Sequence, residues 1–324
     1  MAFDVSTLVS YVIENENLLV ARSLFGSRTA SLISEEGNVL TGIKFAEQIN
    51  VLATDAIFQS GAGCTRVSSG TTSITQRQVT VGNIAVVEDI CVKDLRRTFL
   101  SKSMVKGSYE DTLAFEKEYT DLKAATIAKQ DEIALWQGDL SSVNANLNKF
   151  DGLIKLIDAS TVAVTANGIL GGIGTAITTA VGITIANVKS VINAMWLALP
   201  ADVTGRDDIR IFCGWDVFNK FINAFTDQNL FNFAPEGSEV SAANGVVIIP
   251  GTNYKLTAVH GLDGTNRLFS TYMPNFYLGV DMENEEDTFV MMQDQFKDYI
   301  RFKAQFKQGV NVAFPDQVVS FKLV

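Results

Sequence analysis

A chain of 324 residues is long enough for one large domain or two, with a sizeable core. Its composition, 47% hydrophobic against 19% charged, leaves much of the surface weakly charged, as in a protein that buries surface against copies of itself. A net charge of -10 argues against a dedicated nucleic-acid reader, which needs a basic excess to neutralise phosphates, while loose contact with packed DNA stays open.

Met1-Ala2-Phe3-Asp4 puts no basic stretch ahead of its apolar residues and does not read as a signal peptide. Residues 1 to about 40 mix Leu18-Leu19-Val20 and Leu24-Phe25 with Ser, Asn and Glu, a pattern that allows one or two short helices and predicts an extended arm. Residues about 55 to 92 are rich in Thr, Ser and Gly. Gln59-Ser60-Gly61-Ala62-Gly63, Ser68-Ser69-Gly70-Thr71-Thr72-Ser73 and Ile74-Thr75-Gln76-Arg77-Gln78-Val79-Thr80-Val81 read as strands and turns with too few apolar residues for a core of their own. A two-stranded hairpin alone is marginal in water, so this excursion must lie on its own body or on a neighbouring subunit. Thr71, Thr72, Ile74, Arg77 and Val79 are its candidate inter-subunit contacts.

Residues about 108 to 137 give the clearest helix. Ser108 suits the N-cap, Glu110 and Asp111 suit the first turn, and Gly138 suits the C-terminal end. Phe115, Tyr119, Leu122, Thr126, Ile133 and Trp136 form one stripe at the helical period, with Lys129 as its strongly polar intruder. Such a helix spans roughly 45 Å at 1.5 Å per residue, long enough to run the length of a flat subunit.

From Ala159 to Val188 no residue is charged, but five glycines, several threonines and Asn167 and Asn187 make the stretch weaker than a membrane span. It reads as a buried glycine-rich loop leading into a helix with a buried face of Ile185, Val188, Ile192, Met195 and Leu199, ended by Pro200. A strand at Ile209-Arg210-Ile211-Phe212-Cys213, a helix from Trp215 to Phe225 and strands at 246–249 and 254–259 predict a mixed sheet flanked by helices. The last 50 residues read as strands. Phe296, Ile300, Phe302, Ala304 and Phe306 alternate with polar residues, so one face packs inward and the other displays Lys297, Arg301, Lys303 and Lys307. That row is either a solvated strand face or a surface for acidic partner subunits or DNA phosphates. Lys93, Arg96, Arg97, Lys102 and Lys106 form a second basic stretch with the same two readings.

The residues for catalysis are mostly missing. His260 is the only histidine, no G-x-S-x-G elbow offers it a nucleophile, and no G-x-x-x-x-G-K-[ST] loop is present. Gly171-Gly172-Ile173-Gly174-Thr175-Ala176-Ile177 falls short of a dinucleotide loop. Asp281, Glu283, Glu285, Glu286 and Asp287 lack EF-hand spacing and read as a solvated loop. Cys64, Cys91 and Cys213 are too widely spaced for a thiolate metal site and read as reduced thiols. No cofactor and no enzyme activity is expected.

The order of elements resembles the Hong Kong 97-type major capsid fold of tailed bacteriophages, shared by herpesvirus shells and encapsulins. Val87-Glu88-Asp89-Ile90-Cys91-Val92-Lys93-Asp94-Leu95 before the long helix, and Asn275-Phe276-Tyr277-Leu278-Gly279-Val280-Asp281 followed by a late basic strand and Gly309-Val310, are similar to segments of such proteins. The resemblance implies an α+β chain with an N-terminal arm (1–40), an E-loop region (41–107) and a P-domain with a spine helix (108–159). An α/β A-domain (160–265) and return strands with a C-terminal segment (266–324) complete it. It also implies a major capsid protein that assembles as hexamers and pentamers into an icosahedral head around double-stranded DNA. Portal and scaffolding or decoration proteins would be its partners, and the virion, built in the host cytoplasm, its location. The alternatives are an encapsulin-like compartment and another virion component such as a tail-tube subunit. One departure is that no lysine lies between Lys44 and Lys93, so the E-loop lysine that crosslinks some members is missing.

Overall fold

The computed structural model describes residues 26–59, 69–91, 112–160, 162–167, 182–226, 244–281, 288–293 and 299–323. In chain order these form α1 (Arg28–Glu36), β1 (Asn38–Leu40), β2 (Ala46–Thr54), β3 (Thr72–Thr80), β4 (Gly82–Cys91) and α2 (Thr112–Gln137). Next come α3 (Leu153–Asp158), β5 (Val164–Asn167), α4 (Val188–Leu197), β6 (Ile209–Cys213), α5 (Trp215–Thr226), β7 (Val246–Ile248) and β8 (Lys255–Ala258). The chain continues through β9 (Leu268–Tyr272), β10 (Phe276–Val280), β11 (Thr288–Gln293), β12 (Tyr299–Val312) and β13 (Val319–Lys322).

β12 organises the first sheet. Its alternation sends Ile300, Phe302, Ala304 and Phe306 into the core, as the period of two predicts. β4 runs antiparallel along one edge, from Gly82↔Gln308 to Cys91↔Tyr299. Gln308 also pairs with Val280 of β10, and the stretch Ile300–Gln305 also pairs with β11. β10 and β11 therefore share the edge opposite β4, and β1 adds parallel to β10.

α2 packs against this sheet with a face that is only partly the predicted one: of the expected stripe, Trp136 is fully buried and Tyr119 and Ile133 are half-buried. Thr120, Ala124, Ile127, Ala128, Asp131 and Leu135 are buried, whereas Leu122 is 67% exposed and Thr126 and Lys129 face outward. The expected stripe holds at its C-terminal end in Trp136, and nearer the other end the helix approaches its neighbours on Ala124 and Ala128, which permit closer contact. The Thr126 hydroxyl is met locally by donating to the Leu122 carbonyl at 2.8 Å. The Gly138 N–H bonds to the Ala134 carbonyl at the expected C-terminal end. Ser108, Glu110 and Asp111 lie outside the described residues, as does the side chain of Phe115.

Trp136 centres the main core, with ring centroids 5.4 Å from Phe212, 5.6 Å from Phe269 and 6.3 Å from Phe276. Such aromatic contacts each add about 0.5–1.5 kcal/mol beyond area burial. Part of the predicted arm is the helix α1, tied to α2 by a relay. Glu132 accepts the Thr29 N–H at 2.8 Å and its hydroxyl at 2.6 Å, and the Thr29 hydroxyl oxygen accepts the Trp136 indole N–H at 2.7 Å. A carboxylate at the first turn of α1 also meets the positive end of its dipole.

The second sheet has the order β5-β13-β9-β6-β8-β7 and is mixed, as expected: β5 and β13 are parallel, β6 and β8 are parallel, and the other pairs are antiparallel. Val188, Val191, Ile192 and Met195 of α4 and Val217, Phe218 and Phe221 of α5 share its core with Ile211 and Leu256. Ile185, predicted on the α4 face, is exposed. Asn187 Oδ1 accepts the Thr184 N–H at 2.8 Å, which places Ile185 in a turn before the helix, and Ile183 is buried instead. Gly171 to Ile177 lie outside the described residues. No described helix is long and apolar enough to cross a membrane.

Candidate functional site

The expected polar excursion is a two-stranded ribbon, but its first strand is β2, ahead of the stretch at 55–92. β2 and β3 pair from Ala46↔Thr80 to Thr54↔Thr72, a length of about 27 Å. One ribbon face carries Ile49, Val51 and Val79, which join Ile43, Val81 and Ala313 in a small core beside the first sheet. The opposite face is polar until the cross-strand pair Leu52↔Ile74, exposed by 59% and 68%. Beyond the last pair, Asp55 Oδ1 accepts the Thr71 N–H at 2.7 Å, and Ile57 and Phe58 stand exposed, Phe58 by 99%. The far end of the ribbon thus gathers four large apolar side chains that the body does not cover, the pattern of an interaction surface.

The ribbon base crosses the end of the first sheet. Asn311 of β12 donates to the Gln78 carbonyl at 2.6 Å and accepts from Arg77 at 3.4 Å. Ile43 N–H reaches the Val280 carbonyl at 3.4 Å. Of the five nominated ribbon contacts, Thr71, Thr72 and Ile74 are exposed and Arg77 is half-buried. Val79 is fully buried in its own chain, so its nomination as an inter-subunit contact is corrected: it anchors the ribbon to the body.

The same crossing dismantles the basic row. Lys307 lies beneath the ribbon base with the Phe45 ring 5.9 Å away, and its ammonium meets the fully buried Asp281 at 3.0 Å. Neither is a displayed charge, and Asp281 is not part of a solvated loop. Arg301 remains on the surface, but it makes a two-pronged pair with its cross-strand neighbour Asp89 at 2.7 and 2.8 Å. Lys303 is half-buried between the register partners Val87 and Val290. Lys297, Phe296 and the stretch from Lys93 to Lys106 lie outside the described residues, as do Glu283, Glu285, Glu286 and Asp287.

His260 does not sit in a catalytic constellation. Its ring stacks on Trp215 at 5.7 Å and Nδ1 lies 2.7 Å from Asp263 Oδ2, with no hydroxyl or thiol bonded to it among the described residues. A cleft of about 490 Å³ beside it is lined by Ser27, Arg28, Ala124, Ala128 and Glu132, a mixture of charges rather than a site of one sign. Among the described residues no group of three His, Cys, Asp or Glu side chains is arranged to hold a metal. Cys213 is buried, and burial pushes its thiol pKa up, away from reactivity.

One buried polar group was not singled out from the sequence. Asp131 is enclosed between α2 and β12, and burial pushes its pKa up to about 8, against a 3.2 Å hydrogen bond from Gln308. Burial also raises the pKa of adjacent Glu132, opposed by the bonds from Thr29. The available signal was spacing: Asp131 falls four residues after Ile127 and seven after Ala124, on the buried face.

No family model and no curated protein matches the chain. Solved structures do. A chain of the satellite phage P4 procapsid including size determination (Sid) protein superposes with a TM-score of 0.61, covering 94% of this chain and 90% of that one at 12% identity. A chain of the cyanophage A-1(L) capsid gives 0.57, with 94% and 93% covered at 11% identity. A virus-like particle from Pyrococcus furiosus gives 0.51, with 98% of each chain covered at 10% identity. The mixed α+β architecture is that of phage capsid proteins, the Hong Kong 97-type fold that the resemblance implied.

Proposed function

We propose that this chain is a major capsid protein that self-assembles into an icosahedral head shell enclosing double-stranded DNA. The observation that carries the reading is the capsid fold over nine-tenths of both chains. The ribbon adds a physical motive, because its apolar far end is left in water unless a second molecule covers it. In this reading β2 and β3 are the E-loop within residues 41–107, and α2 is the spine helix of a P-domain at 108–159. The second sheet with α4 and α5 corresponds to an A-domain at 160–265, and 266–324 supplies the return strands. Thr71, Thr72 and Ile74, joined by Leu52, Ile57 and Phe58, are the inter-subunit contacts.

Copies of the chain would meet as hexamers and pentamers through heterologous contacts that close into rings, and many weak contacts held at once stabilise the lattice. With no lysine between Lys44 and Lys93, the ribbon has no lysine for a covalent crosslink, and the proposed contacts would be noncovalent. Packaged DNA would be met without sequence preference, and portal and scaffolding or decoration proteins would complete a virion assembled in the host cytoplasm. The chain acts by binding its copies, not as an enzyme. Negative-stain microscopy and sedimentation of the purified chain test the proposal: rings and closed shells are expected, and a strict monomer at high concentration overturns it.

The alternative named from the sequence, an encapsulin-like protein compartment, would share the same fold. The contents of shells formed in the natural host separate the two, DNA for the head and protein for the compartment. A tail-tube subunit, mainly β-barrel, fits poorly with the 26-residue α2.

A further inference from the structure

Where the ribbon base crosses the first sheet, two glycines stand directly opposite each other on adjacent strands, Gly279 of β10 and Gly309 of β12. Neither is among the described glycines with positive φ, so backbone conformation does not require glycine here. Space does. A Cβ on Gly309 would lie 2.1 Å from the Thr80 carbonyl oxygen and 3.0 Å from Val81 Cα. A Cβ on Gly279 would lie 2.9 Å from both Ile43 Cδ1 and Val79 Cγ1, and 3.2 Å from Val81 Cγ1. The pair forms a bare saddle across the sheet, and the last residues of β3 lie in it.

We propose that Gly279 and Gly309 are positioning residues that set the angle at which the ribbon leaves the body, and through it the curvature of the assembled shell. The inference rests on the shell reading and adds to it the element that fixes the direction of the inter-subunit contact. Leverage gives it consequence. To clear a methyl on residue 309, the Thr80 carbonyl must retreat by about 1 Å. With the neighbouring strand as pivot, about 4.8 Å away, the ribbon tilts by about 12°. Over a ribbon of about 27 Å the far end moves by about 6 Å, enough to miss a docking site on a neighbour. The contact at Gly279 is softer, because it meets methyl groups of side chains rather than a carbonyl oxygen.

The test is a graded pair of substitutions in the full chain, Gly279→Ala and Gly309→Ala. Folding is followed by near-ultraviolet circular dichroism, and particle diameter and ribbon direction by electron cryomicroscopy. The wild-type chain should close into shells of one diameter. Gly279→Ala should close into shells of shifted or broadened diameter, and folded Gly309→Ala should give open or irregular assemblies. Either folded variant closing into shells of wild-type diameter overturns the saddle proposal. If Gly309→Ala fails to fold, Gly279→Ala decides alone. A wild-type chain that never assembles refutes the shell reading itself, an outcome distinct from wild-type shells with indifferent variants.

Discussion

At the scale of single residues, the alternation along β12 was readable because period two decides which side chains enter the core. The fate of the other side chains was not readable. Arg301, Lys303 and Lys307 occupy equivalent positions, yet one is paired across strands, one is half-buried and one is enclosed, because the ribbon base crosses only part of β12. Local pattern does not encode what a segment more than 200 residues away will cover. Asp131 is a second such case and gives a pH dependence. Its folded pKa of about 8 lies above the ordinary 3.8, so the folded chain keeps a proton that the unfolded chain releases. The stability tied to this proton is full below about pH 4 and is lost as pH rises through about 8, by an amount on the order of 5 kcal/mol. Asp131→Asn carries no proton to lose. Its urea midpoint should fall less between pH 5 and pH 9 than that of the wild type, and should exceed the wild-type midpoint above pH 8. Parallel profiles would show that Asp131 is not the titrating group; Glu132 contributes a residual slope in both proteins.

At the scale of elements, existence and order were legible and facing was legible in part. β6 falls on the predicted residues, and α4 and α5 lie close to theirs, because continuous apolar runs and helical spacing coincide with real burial there. α2 was found as a helix and its stripe only in part, since Trp136 is buried as expected while Leu122 and Thr126 lie open and Ala124 and Ala128 are buried instead. This distinction is measurable in the unassembled chain. Leu122→Ala should leave the unfolding free energy from urea titration within about 0.5 kcal/mol of wild type, as for an exposed site. Trp136→Ala, which empties the centre of the main core and removes the indole N–H bond to the Thr29 hydroxyl oxygen, should cost about 3–5 kcal/mol. Comparable losses at both positions would restore the predicted stripe.

At the scale of the whole molecule, the polar excursion signalled a segment that must rest on its own body or on a neighbour, because a ribbon with few apolar residues has no core of its own. What it rests on was legible only in the structure: a small core lies at the base, while the described apolar side chains at the tip are exposed. The sequence therefore marked the polar ribbon, while the difference along it, Val79 buried at the base and Leu52, Ile74, Ile57 and Phe58 exposed at the far end, required the fold. Replacing residues 52–74 by an Asn-Gly turn between the register partners Val51 and Thr75 removes the tip and spares the base. The variant should retain a cooperative melt, sediment as a monomer and form no shells. Closed shells from this variant would reassign the contact to another surface.

The pairing of β4 with β12 has a consequence in time. These strands are separated by more than 200 residues, and the ribbon base rests on the same stretch of β12. A ribosome adding about 5–20 residues per second needs roughly 10–40 s to produce β12 after β4 has emerged. During that interval the ribbon has no saddle beneath it and no fixed heading. If the proposed shell reading holds, a nascent chain would be a poor partner for finished copies nearby, and the ability to join a lattice would arrive only after the late strand is made. Synthesis of β12 would then act as a checkpoint between the production of subunits and their assembly.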